Sequence, residues 1–89
     1  MERPDLYVLA RFLGVMAAPG RTWTRTRLQP AVGLNYDLFR KYLAFLVAKG
    51  WVSVLEDPAG DRLALTSAGL EAHQQLLQWL GRWLGRGLP

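Results

Sequence analysis

The 89-residue sequence contains no cysteine and a single histidine, His73. The absence of cysteine excludes disulfide frameworks, thiolate zinc sites and cysteine nucleophiles, and one histidine excludes a metal site built from several. The sequence also has no Gly-rich phosphate loop. Its acidic residues Glu56, Asp57 and Asp61 cluster on a turn, and a mobile acidic tip provides poor catalytic geometry. We therefore expect no enzymatic activity, no metal and no cofactor.

Long apolar runs are absent as well, because no stretch approaches the length that crosses a bilayer. Residues 1–14 mix charges with apolar residues and contain no secretory apolar segment. We therefore expect a cytoplasmic protein without a membrane partner. The Trp- and Arg-containing end, residues 78–88, leaves binding to a membrane surface as a minor alternative, although association between two copies of the chain explains the same residues.

The length of the chain fits one domain spanning residues 1–89, and its apolar content is high for that length. Hydrophobic residues make up 51% of the sequence, and four of them are tryptophans. This exceeds what an isolated small fold usually needs. Either the core is rich in aromatic residues, or part of the apolar surface binds a partner.

The net charge of +4 is unevenly distributed. Residues 1–20 are neutral in sum and residues 50–89 carry −1, whereas residues 21–49 carry six cations and one carboxylate, a net +5. A concentrated basic surface is the expected footprint of a site that binds a polyanion. Solubility alone would also explain exposed arginines, so charge leaves both interpretations open.

The first helix is predicted over residues 5–18. Pro4 suits the position before it, Asp5 favours the positive end of the helix dipole, and Pro19 ends it. Apolar residues recur at helical spacing and predict a buried stripe. The stripe consists of Leu6, Leu9, Leu13 and Met16, with Phe12 adjoining it.

A short strand and a short second helix are expected next. Residues 21–24 have strand propensity but are long enough only for a short edge strand. Thr26 and Gln29 fit the capping box of a helix, which Pro30 restricts to about residues 27–32. The residues predicted to face inward are Leu28, Ala31, Val32 and Leu34.

Gly33 provides the tight turn into a third helix, predicted over about residues 35–49. Asn35 is its expected N-cap, and Gly50 suits the left-handed position that follows it. One face is predicted to be apolar, with Phe39, Tyr42, Leu43, Leu46 and Val47. The opposite face carries Tyr36, Asp37, Arg40, Lys41 and Ala44.

A hairpin and a last helix complete the pattern. Residues 51–56 and 62–65 are predicted strands, and the proline and glycine within residues 57–61 make the turn between them. Thr66 can cap a helix over residues 67–86. Its apolar seam has heptad spacing. The seam comprises Leu70, His73, Leu77, Leu80 and Leu84, with Trp79 and Trp83 beside it.

Two local motifs resemble those of winged helix-turn-helix proteins. Y-L-x-x-L-x-x-K-G-W-V over residues 42–52 resembles the end of their recognition helices, and L-T-x-x-G over residues 65–69 resembles the passage from their hairpin, the wing, into the last helix. The resemblance covers roughly residues 5–84 and is greatest to small prokaryotic, notably archaeal, DNA-binding members that dimerise through a C-terminal helix. It implies a mainly α fold with a small β-hairpin (α+β), in which residues 5–66 form three helices and the wing, and residues 67–86 form the dimerising helix.

By this resemblance the chain would bind double-stranded DNA as a dimeric, nucleoid-associated transcription regulator. The third helix would enter the major groove, where Arg40 or Lys41 can donate to guanine and Asp37 can accept from cytosine. Basic residues of the segment 21–27, with the amides that begin the second helix, would hold phosphates. Arg62 would reach a flanking phosphate or the minor groove.

The predicted DNA contacts are Arg21, Arg25, Arg27, Asn35, Tyr36, Asp37, Arg40, Lys41 and Arg62. The predicted dimer contacts are Leu77, Leu80, Trp83 and Leu84. These apolar residues would pack against the same helix, or the first helix, of a second chain.

A protein-interaction module built on the same fold is the alternative. Carboxylates on the turn at residues 57–61 would repel phosphates, and the last helix is wide and rich in tryptophan. Asp37 lies within the expected DNA-reading face, although a carboxylate in the first turn also stabilises the helix dipole. For Arg40 and Lys41, the plain alternative is a solvated helix face.

Overall fold

A computed structural model describes residues 3–84, with side chains described as far as residue 82. Four helices and one antiparallel hairpin follow each other in the predicted order. They are α1 (Leu6–Met16), α2 (Arg25–Val32), α3 (Tyr36–Ala48), β1 (Val52–Leu55), β2 (Arg62–Leu65) and α4 (Ser67–Leu84). The mainly helical fold with a small hairpin is therefore confirmed. The predicted end of the last helix near Arg86 lies outside the described residues.

Helix α1 is shorter than the predicted span of residues 5–18, because Asp5 caps the helix instead of lying inside it. The Asp5 carboxylate accepts the backbone N–H groups of Tyr7 and Val8 at 2.8 and 3.2 Å. Its own N–H donates to the hydroxyl of Tyr42 at 2.8 Å, which attaches the beginning of α1 to α3. The C-cap is Ala17.

Helix α2 begins two residues before its predicted start, and the predicted capping box of Thr26 and Gln29 does not form. The N-cap is Thr24, whose hydroxyl accepts the N–H of Arg27 at 3.3 Å. Gln29 donates instead to the carbonyl oxygen of Leu34 at 3.3 Å, across the turn into α3. The earlier start places Arg25 in the first turn of the helix, where the backbone amides are free of helical partners.

Pro30 is tolerated inside α2 because the helix ends shortly after it. The N–H of Gly33 closes the end by donating to the carbonyl oxygens of Gln29 and Pro30, both at 3.1 Å. Leu28 and Val32 are buried as predicted. Ala31 was predicted to face inward but is exposed.

The sheet consists of β1 and β2, paired antiparallel from Val52 opposite Leu65 to Leu55 opposite Arg62. The strand predicted over residues 21–24 is reduced to a single bridging residue. The backbone N–H of Trp23 donates to the carbonyl oxygen of Leu63 at 2.8 Å, and the backbone N–H of Leu63 donates to the carbonyl oxygen of Trp23 at 2.7 Å. No longer strand forms there, because Thr24 already belongs to the cap of α2.

The two sequence motifs meet in space where α3, β1 and α4 join. The hydroxyl of Thr66 donates to the carbonyl oxygen of Gly50 at 2.7 Å and accepts the N–H of Gly69 at 2.9 Å. Gly50 takes the left-handed conformation, with φ of 77°. Gly69 is buried, and a Cβ atom there would collide with the carbonyl oxygen of Trp51. The junction thus needs glycine at position 69 for a steric reason.

The core lies between α1, α2, α3 and the hairpin. The rings of Phe12 and Phe39 are stacked with their centroids 5.7 Å apart. Residues fully removed from solvent include Phe12, Leu13, Met16, Leu28, Leu46, Leu63, Val32 and Val52. Helix α4 packs along α1, where the imidazole of His73 lies close to Gly14. No helix in the described residues is long and apolar enough to span a membrane.

Candidate functional site

The exposed face of α3 is the one that the sequence predicts. Five residues share it and all are exposed: Tyr36, Asp37, Arg40, Lys41 and Ala44. The opposite face packs into the core through Phe39, Tyr42, Leu43 and Leu46. Asn35 caps the helix by accepting the N–H of Leu38 at 2.9 Å, so its side-chain oxygen already has a structural partner. Asp37 lies in the first turn, where a carboxylate is favourable.

Arg25 of α2 and Arg40 of α3 lie on the same concave surface. Together they line a groove of about 220 Å³ between the two helices. Its other lining residues are Thr26, Gln29, Tyr36 and Phe39. Guanidinium, hydroxyl and amide groups thus surround one depression. Together they provide hydrogen-bond donors suited to phosphate oxygens.

A second groove, of about 370 Å³, lies between α3 and strand β1, and we call it the apolar groove. It is lined by Arg25, Arg40, Leu43, Ala44, Val47, Ala48 and Val54. Val47 was predicted to belong to the core face, but it is 38% exposed here. The prediction is wrong because Val47 lies at the edge of the core stripe, three residues after Ala44 and four after Leu43.

Within the described residues the two groove cations, Arg25 and Arg40, form no salt bridge, although Arg25 shares a further depression with Asp61. Lys41 forms no ion pair with a carboxylate of the described part of the chain either. Arg27 is likewise exposed on α2. Unpaired cations on a concave surface raise the local positive potential and attract a polyanion.

Arg21 lies apart from these cations. Its guanidinium stacks over the ring of Trp23, 3.9 Å from the ring centroid. It lines a different groove, of about 350 Å³, formed by the end of α1, the following loop, β2 and the start of α4. The structure therefore brings Arg25 and Arg40 together but does not bring Arg21 to them.

The hairpin tip is acidic and folds towards the beginning of α2. Residues 59–61 and residues 24–26 line a shared depression of about 290 Å³. Asp57 has a local structural role, because its carboxylate accepts the N–H of Ala59 at 2.8 Å within the turn. Arg62, the predicted wing contact, is exposed at the start of β2 beside Asp61. Within the described residues, no group of three or more potential ligands could hold a metal ion.

Helix α4 leaves apolar residues on the surface. Leu77 is 50% exposed, Trp79 45% and Leu70 41%. Leu80, a predicted dimer contact, is only 8% exposed within the single chain, so most of its surface is already covered. The side chains of the other two predicted dimer contacts, Trp83 and Leu84, lie outside the described residues.

Sequence reasoning missed five groove residues: Thr26 and Gln29 in the first groove, and Val47, Ala48 and Val54 in the second. Spacing offered a signal for two of them. Val47 and Ala48 continue the exposed row of Arg40 and Ala44 at intervals of three and four residues. Val54 gave no such signal, because the packing of the hairpin decides which side of β1 meets α3.

Comparison with known proteins gives matches in structure but not in sequence. No family model and no curated protein matches the chain. Among solved structures, F93 from STIV, a winged-helix DNA-binding protein, matches with a TM-score of 0.79 at 16% identity. That match covers 92% of this chain and 96% of the other.

Two further structures have the same architecture. Sso10a-2, a DNA-binding protein from Sulfolobus solfataricus, matches with a TM-score of 0.74 at 19% identity, over 88% of this chain and 79% of the other. The oxidised form of MarR from E. coli matches with a TM-score of 0.69 at 26% identity, over 93% of this chain and 57% of the other. The chain therefore has a winged helix-turn-helix fold.

Proposed function

We propose that the protein binds double-stranded DNA and acts as a homodimeric transcription regulator. One observation carries the proposed binding of DNA. Arg25 and Arg40 come from different helices, converge on the concave surface between α3 and the hairpin, and have no carboxylate partner in the described residues. Two proteins of the same fold, F93 and Sso10a-2, are DNA-binding proteins by description, which supports the same class of ligand here.

In the proposed complex α3 lies in the major groove. Arg40 and Lys41 are exposed on that helix and can donate to guanine, and Asp37 can accept from cytosine. Arg25 and Arg27, on the first turn of α2, each contact a phosphate, aided by the amides of Arg25 and Thr26, since the amide of Arg27 already donates to Thr24. Arg21 is left out of this set, because it stacks on Trp23 in another groove.

The proposal is tested by the salt dependence of binding to a fluorescent duplex, followed by anisotropy in increasing KCl. Each phosphate contact contributes roughly −0.9 to the slope of log K against log salt. Two phosphate contacts, from Arg25 and Arg27, therefore predict a slope of about −2 per protomer, since Arg40 and Lys41 are assigned to base edges. A slope near zero, or no binding at low salt, would contradict duplex binding.

The homodimer is tested through Leu77, which is half exposed on α4. Replacing Leu77 by Asp would put a charge into the proposed interface, and we expect dimerisation to weaken by about 2 kcal/mol or more. Sedimentation velocity over a concentration series measures the change. Leu55→Asp is the matched control, because Leu55 is 46% exposed on β1 and belongs to another surface. Equal effects of the two substitutions, or a monomeric parent protein, would refute the α4 interface.

A protein-interaction module is the second candidate, and the acidic hairpin tip favours it. Glu56, Asp57, Pro58 and Asp61 surround an open depression of about 520 Å³ that would suit a basic partner. Carboxylates in this position would repel the phosphate backbone of DNA. The two candidates use opposite charges of the protein, so reversing the charge on α3 separates them.

A further inference from the structure

The exposed face of α3 changes its chemistry along the helix. Its first half carries ionic and hydroxyl groups, from Tyr36 to Lys41. Beyond Lys41 the exposed side chains that line the hairpin side are Ala44, Val47 and Ala48. None of these three can donate or accept a hydrogen bond. The second half of the face can therefore recognise only an apolar group.

The hairpin turns this half of the helix into a groove. Val54 of β1, which is 37% exposed, and Val47 of α3, which is 38% exposed, both line the apolar groove. Leu43 contributes to the lining but is itself buried in the core. The groove is open to solvent along the same concave surface that holds Arg40.

The edge of the apolar groove is cationic. Arg25 and Arg40 are its only ionisable lining residues, and no carboxylate of the described chain lines it. An apolar peptide gains nothing from these cations, and a lipid surface is flat where this groove is concave. The matching ligand presents small apolar groups between phosphates. Duplex DNA does so through the C5-methyl group of thymine, which lies in the major groove.

We propose that the apolar groove receives thymine methyl groups, and that Val47, with Ala44 and Val54, determines specificity for them. This inference rests on the proposed binding of duplex DNA. The other base edges in the major groove carry donors and acceptors. Placed against valine, those groups lose their hydrogen bonds to water without a replacement, which is unfavourable. The groove thus selects thymine both by fitting its methyl group and by disfavouring other edges.

The first test compares two short duplexes that differ only in this methyl group. One has a mixed sequence of all four bases, so that the proposed guanine and cytosine contacts can form, and the other has dU in place of every dT. We expect the dU duplex to bind about fourfold more weakly for each methyl group that the groove covers, the factor associated with burying one methylene-sized group. A duplex of alternating dG and dC should show the reverse change when its cytosines carry a C5-methyl group, because that methyl group occupies the same place.

The second test assigns the preference to the groove. Val47→Thr keeps the shape of the side chain but replaces one of its two methyl groups by a hydroxyl group, and Val47 is exposed enough for the fold to tolerate it. We expect the ratio of dT to dU affinity to fall towards one, because the hydroxyl group would lose its hydrogen bonds to water wherever a methyl group covers it. Leu38→Thr is the matched control. Leu38 is 41% exposed on the same helix but does not line the groove.

The outcomes separate the inference from the function on which it rests. A dT preference that Val47→Thr removes and Leu38→Thr retains supports the groove as the methyl-binding site. Equal binding of dT and dU duplexes overturns the inference and leaves duplex binding intact. A dT preference that survives in Val47→Thr overturns the assignment to the apolar groove. Failure to bind any of the duplexes overturns both proposals.

Discussion

The double substitution Arg40→Glu and Lys41→Glu is expected to abolish binding to duplex DNA. Both side chains are exposed on α3 and form no ion pair in the described chain, so neither holds the fold together. A good contact from a cation to a base is worth about 1–3 kcal/mol. Losing two such contacts predicts a loss of about 2–6 kcal/mol, before repulsion between the new carboxylates and phosphates is added.

The fold should survive this double substitution. Glutamate is a good helix former. The new carboxylates at positions 40 and 41 lie three and four residues from Asp37, and each like-charge pair costs only about a few tenths of a kcal/mol. Arg3→Glu combined with Arg11→Glu, both at exposed positions, is the control for net charge, because each double substitution lowers it from +4 to 0. It should leave binding nearly unchanged when measured by anisotropy in the same buffer. If both variants bind duplex as the parent protein does, the protein-interaction candidate replaces DNA reading.

Gly69→Ala is expected to cause the largest steric loss of stability among glycine-to-alanine substitutions in the described chain. The new Cβ would collide with the backbone carbonyl of Trp51, which cannot rotate away as a side chain can. Overpacking typically costs about 1–3 kcal/mol. The collision would also disturb the hydroxyl of Thr66, whose two hydrogen bonds are worth roughly 1 kcal/mol each. We therefore expect the free energy of unfolding to fall by about 3 kcal/mol or more.

Thermal unfolding followed by circular dichroism measures this effect. A loss of about 3 kcal/mol predicts a Tm lower by roughly 12–24 °C in a domain of this size. Gly81→Ala is the matched control on the same helix, because no atom lies within 4 Å of the Cβ position there. It should raise stability by up to about 1 kcal/mol through helix propensity. Similar Tm values for the two variants would show that the close approach at Gly69 is not limiting.

The order of elements and the span of α3 could be predicted because their signals are local. Asn35 caps α3 through its own side chain, and Gly50 ends it through its own backbone conformation. The beginning of α2 could not be predicted in this way. Thr24 and Thr26 are both acceptable caps, and the choice is made by a long-range pair of hydrogen bonds between Trp23 and Leu63. Those bonds hold the chain extended up to Thr24, which leaves the helix to start immediately after it.

The candidate site was predictable only in part, for the same reason. Helical spacing correctly predicted which residues of α3 are exposed on one face, namely Tyr36, Asp37, Arg40, Lys41 and Ala44. It could not show that Arg25 approaches Arg40 while Arg21 stacks on Trp23, because these positions depend on how α2 and the hairpin pack. The apolar groove forms only because β1 lies beside the end of α3, and this too depends on tertiary packing.

The acidic hairpin tip has a consequence for the length of DNA that one protomer can protect. Its carboxylates, Glu56, Asp57 and Asp61, would repel the backbone that a basic wing follows beyond the major groove. In the proposed complex the footprint would then end with the base pairs reached by α3 and the first turn of α2. An operator for the proposed dimer would consist of two compact half-sites with little flanking sequence, and its selectivity would come from the major groove alone.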